Sequence, residues 1–336
     1  MNIERKKVVF RADGSSEIGL GHVTRCCALA EMLKNNLDCY FYTRKTSKQI
    51  IDDIQKYFIS VTQLTDNISY DEEAATWISN LNGNEIVVLD GYNFDTKYQS
   101  AIKSKGCKLV CVDDIFAYHF VADVVINHAP DILGEQYSVE PYTKLFLGTD
   151  YVLLKKCFLQ QATLQKRKFN FNTSPILICL GGADPQNITM KILQEVKNIF
   201  PEKKIFMVAG AGYQFKDELQ QLCESEKNIS VFINISSQKL INLMESAHIA
   251  ITSASTIALE YVCVKGNLFL IQTANNQTHL YKSLIEKHCA YPFKLLHEKY
   301  NSNVFIENQL KLIDGKSSER ILKFFVDLVE SSLQSC

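Results

Sequence analysis

The chain carries no excess of either charge: 36 lysines and arginines stand against 37 aspartates and glutamates. A dedicated nucleic-acid binder shows a basic excess, so that class is disfavoured. Long hydrophobic runs are also missing. The longest, such as NEIVVLDGY and SPILICLGG, are strand-sized and far short of the ~20 residues of a membrane-spanning helix. The basic start MNIERKK leads into VVF, which Arg11 and Asp13 interrupt at once, so no apolar core of a secretory signal follows. Both absences point to the cytoplasm. Cysteines number 11, an odd count, yet no CxxC pair occurs. That argues against a zinc or redox motif and leaves buried free thiols in a reducing compartment as the expectation.

What is present is the pattern of a two-domain α/β protein. The 336 residues suffice for two domains, and 46% hydrophobic with 22% charged residues suits sizeable cores. KKVVFRAD, DCYFYTR, NEIVVLDGY, CKLVCVDD and DVVINHA are nearly continuous in apolar residues, as strands of a parallel sheet covered on both faces are. Between the first two, HVTRCCALAEMLKNN places Val23, Cys26 or Cys27, Ala30 and Leu33 on one helical stripe. Strand, helix, strand is the βαβ unit, and its repetition predicts a doubly wound sheet. A second series, SPILICLGG, KKIFMVAGAG, NISVFIN, HIAITSAS and NLFLIQTA, repeats the pattern with helices such as NITMKILQEVKNIF and KLINLMESA between the strands. The expected boundaries are a first domain over 1–155, a polar, basic linker over 156–174 and a second domain over 175–336 that includes the amphipathic terminal helix ERILKFFVDLVESSL. Lys155, Lys156, Lys166, Arg167 and Lys168 are read as a solvated face of the connection.

The chemistry gathers at glycine turns. RADGSSEIGLGHVTRCC runs from a strand into a helix and delivers one histidine, His22, just after Gly21. The turn lacks the third glycine of a dinucleotide fingerprint, and no Gly-Lys-Ser/Thr marks a P-loop. A glycine turn at a strand's carboxyl end leaves backbone N–H groups aimed at the ligand crevice. In the first helical turn, the macrodipole disfavours the imidazolium, and Arg25 adds to that effect, which suits a general base. A turn-capping role for His22 is equally consistent with the spacing. In the second half, Gly181 and Gly182 end one strand, and Gly210 and Gly212 another. Ser253, Ser255 and Thr256 open a helix on which Glu260 lies one turn further along, in reach of a ribose diol. Asn276 and Gln277 follow the next strand. Hydroxyls at a helix start serve capping as well as phosphate binding. Together these groups suggest a nucleoside diphosphate ligand in the second domain.

FRADGSSEIGLGHVTRC resembles the opening motif of the UDP-sugar hydrolases of pseudaminic acid biosynthesis, which release UDP from a 2,4-diacetamido-2,4,6-trideoxy-β-L-altropyranose. The resemblance continues in order through VVLDGYNFD, VDDIFAYHFVADVVIN, FLGTDYVLLKKCF, LICLGGADPQN, SASTIALE and NNQ. It implies a GT-B fold, with two Rossmann-like domains whose parallel sheets face a central cleft, similar to the transferase that adds N-acetylglucosamine in peptidoglycan synthesis. It further implies hydrolysis without metal or cofactor, with inversion at the anomeric carbon and His22 activating water. Tyr92 would contact the sugar region, and Asp13 would build the sugar pocket or orient His22. Ser255, Thr256 and Glu260 would hold UDP, with Gly181 and Gly182 lining its crevice and Asn276 and Gln277 near the phosphates or sugar. The sequence departs from the family at Lys155-Lys156, where an arginine is frequent, and at Lys265-Gly266-Asn267, where Gly-Leu-Pro is frequent.

Other residues have simpler readings. Asp113 and Asp114 are adjacent on a strand and point to opposite faces, which disfavours joint metal ligation. His119 and His128 are expected at the surface or behind the site, and Trp77 in a helix core. Three other functions share the UDP site: a GT-B glycosyltransferase using a UDP-N-acetyl sugar, a hydrolysing UDP-sugar 2-epimerase, and a non-catalytic UDP-sugar binding protein.

Overall fold

The computed structural model describes residues 5–15, 18–44, 46–164, 172–300 and 306–333. The chain divides into two compact units: residues 1–14, 22–156 and 316–336 form the first, and residues 15–21 and 157–315 the second. No helix among the described residues is long and apolar enough to cross a membrane.

The first unit is built on a seven-stranded parallel sheet of β1 (Lys7–Ala12), β2 (Asp38–Thr43), β3 (Ser60–Gln63), β4 (Ile86–Asp90), β5 (Lys108–Val112), β7 (Val124–Asn127) and β9 (Lys144–Leu147), in the order β3-β2-β1-β4-β5-β7-β9. Two short strands, β6 (His119–Phe120) and β8 (Ser138–Val139), pair beside it. All five residues of β4 are buried, which is why its sequence runs apolar without alternation. Helix Gly21–Leu33 covers the sheet with Val23, Cys26, Cys27, Ala30 and Leu33 buried. Both cysteines of the pair face inward. Further helices begin at side-chain caps, Asp95 before Thr96–Ser104 and the Ser69–Glu72 capping box before Tyr70–Trp77. Trp77 is buried, as expected.

The second unit has a six-stranded parallel sheet of β10 (Ile176–Cys179), β11 (Ile205–Ala209), β12 (Ile229–Ile233), β13 (Ile249–Ser253), β14 (Asn267–Ile271) and β15 (Tyr291–Pro292), ordered β12-β11-β10-β13-β14-β15. In each sheet the chain winds outward in one direction and then in the other. The reversal falls between β1 and β4 in the first sheet and between β10 and β13 in the second. The crevice outside the carboxyl ends of such strand pairs is where open α/β sheets bind ligands.

Two boundaries differ from those expected. The terminal helix Ser317–Leu333 groups with the first unit, where Phe324 meets Phe146 edge-on at 4.6 Å and Arg320 donates to the Asp150 carbonyl. An amphipathic stripe requires a partner surface but does not name it. The linker begins as a helix, Lys156–Thr163, because Phe158, Leu159 and Ala162 give it a buried face despite its polar composition. Lys166, Arg167 and Lys168 lie outside the described residues.

Candidate active site

In the first unit, β1 and β4 align so that Ala12 sits opposite Asp90. This register places Asp90, the last residue of β4, beside the helix that starts at Gly21. His22 Nδ1 lies 2.7 Å from Asp90 Oδ1, with the carboxylate fully buried and His22 nearly so. Arg25, one helical turn on, grips the same carboxylate with two bonds, Nε to Oδ2 at 2.9 Å and Nη2 to Oδ1 at 2.6 Å. Its Nη1 donates to Asp114 Oδ2 at 2.7 Å. A guanidinium only donates and a carboxylate only accepts. With Arg25 committed to Asp90, the proton between His22 and Asp90 belongs on Nδ1, which leaves the Nε2 lone pair to accept a proton.

The electrostatics fit that assignment. Burial disfavours a charged Asp90, but Arg25 and His22 outweigh it and hold the carboxyl below its usual range. Burial likewise disfavours the Arg25 cation, and Asp90 and Asp114 outweigh it, so the guanidinium stays charged. Behind them stands His128, pushed down to about 4 by burial and then by the Arg25 charge. It is neutral at ordinary pH, and its Nδ1 accepts the Leu153 N–H at 3.1 Å. Tyr92 packs its ring edge-to-face on His22 with centroids 4.6 Å apart, while its carbonyl accepts from Tyr118 Oη at 2.7 Å.

Asp13 is bonded to a different set of groups from His22. Its oxygens accept from Arg11 Nη1 and Nη2 at 2.6 and 2.9 Å, the Arg44 N–H at 2.7 Å and Tyr70 Oη at 3.0 Å. Arg11 also donates to Glu73 at 2.7 and 2.9 Å, which in turn accepts from Arg44 Nη1 and Tyr98 Oη. Asp13 therefore belongs to a largely buried, charge-balanced cluster, and the carboxylate bonded to His22 is that of Asp90. Asp113 and Asp114 diverge: Asp113 accepts the N–H groups of Ile115 and Phe116 and the Tyr137 hydroxyl, while Asp114 faces Arg25. His119 lies on the short β6 strand between Ser138 and Glu140, outside the His22 cluster.

In the second unit the expected residues gather at the carboxyl ends of β10, β13 and β14. Gly181 follows β10 with φ +103°, a conformation L-residues rarely adopt. A Cβ on Gly210, after β11, would lie 2.5 Å from Gly182 Cα and 2.6 Å from its carbonyl oxygen, so the two loops touch backbone to backbone. Ser255 stands at the start of helix Thr256–Val264, yet its hydroxyl makes no capping bond and lies 2.9 Å from Ser253 Oγ. Thr256 is half-buried beside it, and Glu260 is buried one turn on. Asn276 is exposed in the short turn Asn275–Gln277. Gln277 pins its own loop, accepting the Thr273 N–H at 2.8 Å. Gly21 adopts an ordinary φ with open space around it, and Gly19 is the residue of that turn at positive φ.

The two family departures have local roles. Lys155 Nζ lies over the Tyr57 ring at 5.7 Å. Lys265 is buried and donates at 2.7 Å to the carbonyls of Gln161 and Leu164, at the end of helix Lys156–Thr163. Among the described residues, no group of three or more His, Cys, Asp or Glu is arranged to hold a metal ion.

No family model matches the chain. Curated relatives include the UDP-2,4-diacetamido-2,4,6-trideoxy-β-L-altropyranose hydrolase of Campylobacter jejuni, 27% identical over 81% of this chain and 93% of that protein. Another is an uncharacterised protein of Methanocaldococcus jannaschii, 26% identical over 84% of this chain; the match spans 58% of that longer relative. Among solved structures, the calicheamicin glycosyltransferase CalG4 superposes with a TM-score of 0.64, 12% identity and 99% coverage of both chains. MurG of Acinetobacter baumannii gives 0.58, 14% identity, 97% of this chain and 99% of that one. The resemblance read from the motifs therefore stands: the chain is similar along most of its length to proteins named as UDP-2,4-diacetamido-2,4,6-trideoxy-β-L-altropyranose hydrolases, and its fold is GT-B, two Rossmann-like α/β domains with parallel sheets.

Proposed function

We propose that the protein hydrolyses a UDP-linked sugar, UDP-2,4-diacetamido-2,4,6-trideoxy-β-L-altropyranose, to UDP and the free sugar. The observation that carries this reading is the His22–Asp90 pair, whose geometry leaves Nε2 as a proton acceptor. The motif resemblance and the similarity to the Campylobacter jejuni enzyme support the substrate class. In this reading the first unit supplies the base and, through Tyr92, a sugar contact. The second supplies UDP contacts from Gly181, Gly182, Ser255, Thr256, Glu260, Asn276 and Gln277.

The step is an in-line displacement. A water oxygen attacks the anomeric carbon from the face opposite UDP while Nε2 of His22 takes its proton. The bond from that carbon to the β-phosphate oxygen breaks, and its electron pair leaves on UDP, so the configuration inverts. Asp90 accepts no proton; it stabilises the imidazolium as it forms, the role a carboxylate plays behind a histidine base. General-base assistance is worth ~10²–10⁴-fold, about 3–5 kcal/mol of barrier. UDP is a good leaving group, and backbone N–H groups and hydroxyls at helix starts stabilise its charge, so the reading calls for no metal.

The test is NMR of the purified protein with the UDP-sugar, alongside His22→Ala. Wild type releases UDP and inverted free sugar, and His22→Ala is slower by ~10²–10⁴-fold while still binding UDP. A product altered at C2 identifies a 2-epimerase. UDP release only when an acceptor is added identifies a transferase, and binding without turnover identifies a binding protein.

A further inference from the structure

We infer that Arg25 is the positioning residue that keeps His22 available as a base: its guanidinium, held between Asp90 and Asp114, neutralises the one carboxylate that would otherwise trap His22 as an imidazolium. The inference rests on the reading of His22 as the base, but it concerns the protonation of His22 and is testable without substrate.

A histidine beside a lone, fully buried carboxylate forms an imidazolium–carboxylate pair, because an ionised carboxylate out of water needs a cation. Such a histidine already holds the proton it is meant to receive. Here Arg25 supplies that cation with two bonds to Asp90, and its Nη2 stands 2.9 Å from His22 Nδ1. That proximity disfavours a second positive charge on the ring, while Asp90 still accepts from Nδ1 and fixes the ring orientation. The remaining charge of Arg25 faces Asp114. Asp114 Oδ1 is buried with no hydrogen-bond partner among the described residues, so Arg25 is the group that compensates this carboxylate.

The titratable groups around His22 come from four places. Arg25 and Cys26 lie on its own helix, with Cys26 held as a thiol by burial and by Asp90. Asp90 and Tyr92 come from β4 and its following loop, Asp114 from the loop after β5, and His128 from the end of β7. Of these, Arg25 is the cation and Asp90 and Asp114 are the anions. Removing Arg25 and removing Asp114 therefore push the His22 proton in opposite directions. A purely architectural role predicts no such opposition.

The experiment pairs kcat/KM against pH with ¹⁵N NMR of histidine-labelled protein, the His22 signals being those lost in His22→Asn. In wild type at pH 7.5, His22 shows the Nδ1–H tautomer with an unprotonated Nε2. In Arg25→Gln, the acid limb moves up by about one pH unit, so activity on that limb falls about tenfold and recovers in alkali. Its His22 ¹⁵N signals move the same way, with a larger imidazolium share at pH 7.5 than in wild type. Arg25→Lys, which supplies charge without the two-pronged fork, moves the limb less. Asp114→Asn moves it down: the amide oxygen keeps the bond to Arg25, its nitrogen takes the place of the unpartnered oxygen, and Arg25 loses its second anion. Limbs and ¹⁵N signals that stay put in both Arg25→Lys and Asp114→Asn overturn the inference, even if Arg25→Gln fails to fold. Loss of turnover toward every UDP-sugar in wild type would sink the proposed function and leave the NMR result to decide this one.

Discussion

The two sheets place their candidate site residues at equivalent points, where strand order reverses, yet they furnish those points differently. Beside β1 and β4 stand a histidine, an arginine and two carboxylates bonded to one another in a largely buried cluster. Beside β10 and β13 stand glycines, a pair of serine hydroxyls and a helix start, with one buried carboxylate, Glu260. Moving a proton requires groups whose charge state is fixed by partners, and burial makes each partner count. Holding a diphosphate requires N–H groups and room for the backbone to approach, which side chains would obstruct. The first kind of site is sensitive to charge and the second to volume.

The largest expected effect comes from breaking the charged site. Asp90→Asn replaces one of the two acceptor oxygens facing His22 and Arg25 with an amide donor and removes the carboxylate charge behind His22. As a result kcat falls by ~10²–10⁴-fold while UDP affinity, measured by calorimetry, is retained. Equal losses in both would erase the division between the sites. Next is the pH dependence of folding. His128 is held near 4 in the fold against about 6.5 in an unfolded chain. Between these values the unfolded chain binds the proton and the folded one does not. Stability is therefore full above about pH 6.5 and declines by about 3 kcal/mol as pH falls toward 4. Asp90, held low by Arg25, contributes its own loss only further down, as pH falls below the range of a free carboxylate. Urea unfolding at a series of pH values checks this, and His128→Asn flattens the curve between pH 6.5 and 4. The smallest effect belongs to the second unit. Gly210→Ala forces a Cβ onto the Gly182 backbone and costs about 1–3 kcal/mol of stability. It raises KM for the UDP-sugar and leaves the His22 pH profile unchanged. A shifted profile would show that volume in one unit is felt as charge in the other.

Much of this was legible in the sequence because buried parallel strands have little freedom in composition. The runs around Val8–Phe10, Val87–Leu89 and Ile176–Ile178 are apolar since both faces of the sheet are covered. β3 and β9, at the two edges of the first sheet, keep no fully buried residue, and their mixed sequences SVTQ and KLFL hide them. His22 stood out because one histidine follows a glycine turn. Its partner Asp90 did not, because 68 residues separate the two and only the β1–β4 register joins them. Asp13 was the tempting alternative by proximity in sequence. Nothing in its neighbours shows that Arg11 and Arg44 already claim it.

That cluster has a consequence for how this protein can change. Arg11, Asp13, Arg44 and Glu73 tie β1 to the segment after β2 and to helix Tyr70–Trp77. Deleting one member of a buried ion pair typically costs about 3–5 kcal/mol, whereas exchanging the whole set for well-packed apolar residues is often neutral or better. A lineage that alters one codon at a time meets the loss first at every member and reaches the alternative only by crossing it. Single replacements among the four are thus penalised, and a designer who replaces them together has access to sequences that one-at-a-time substitution does not readily reach.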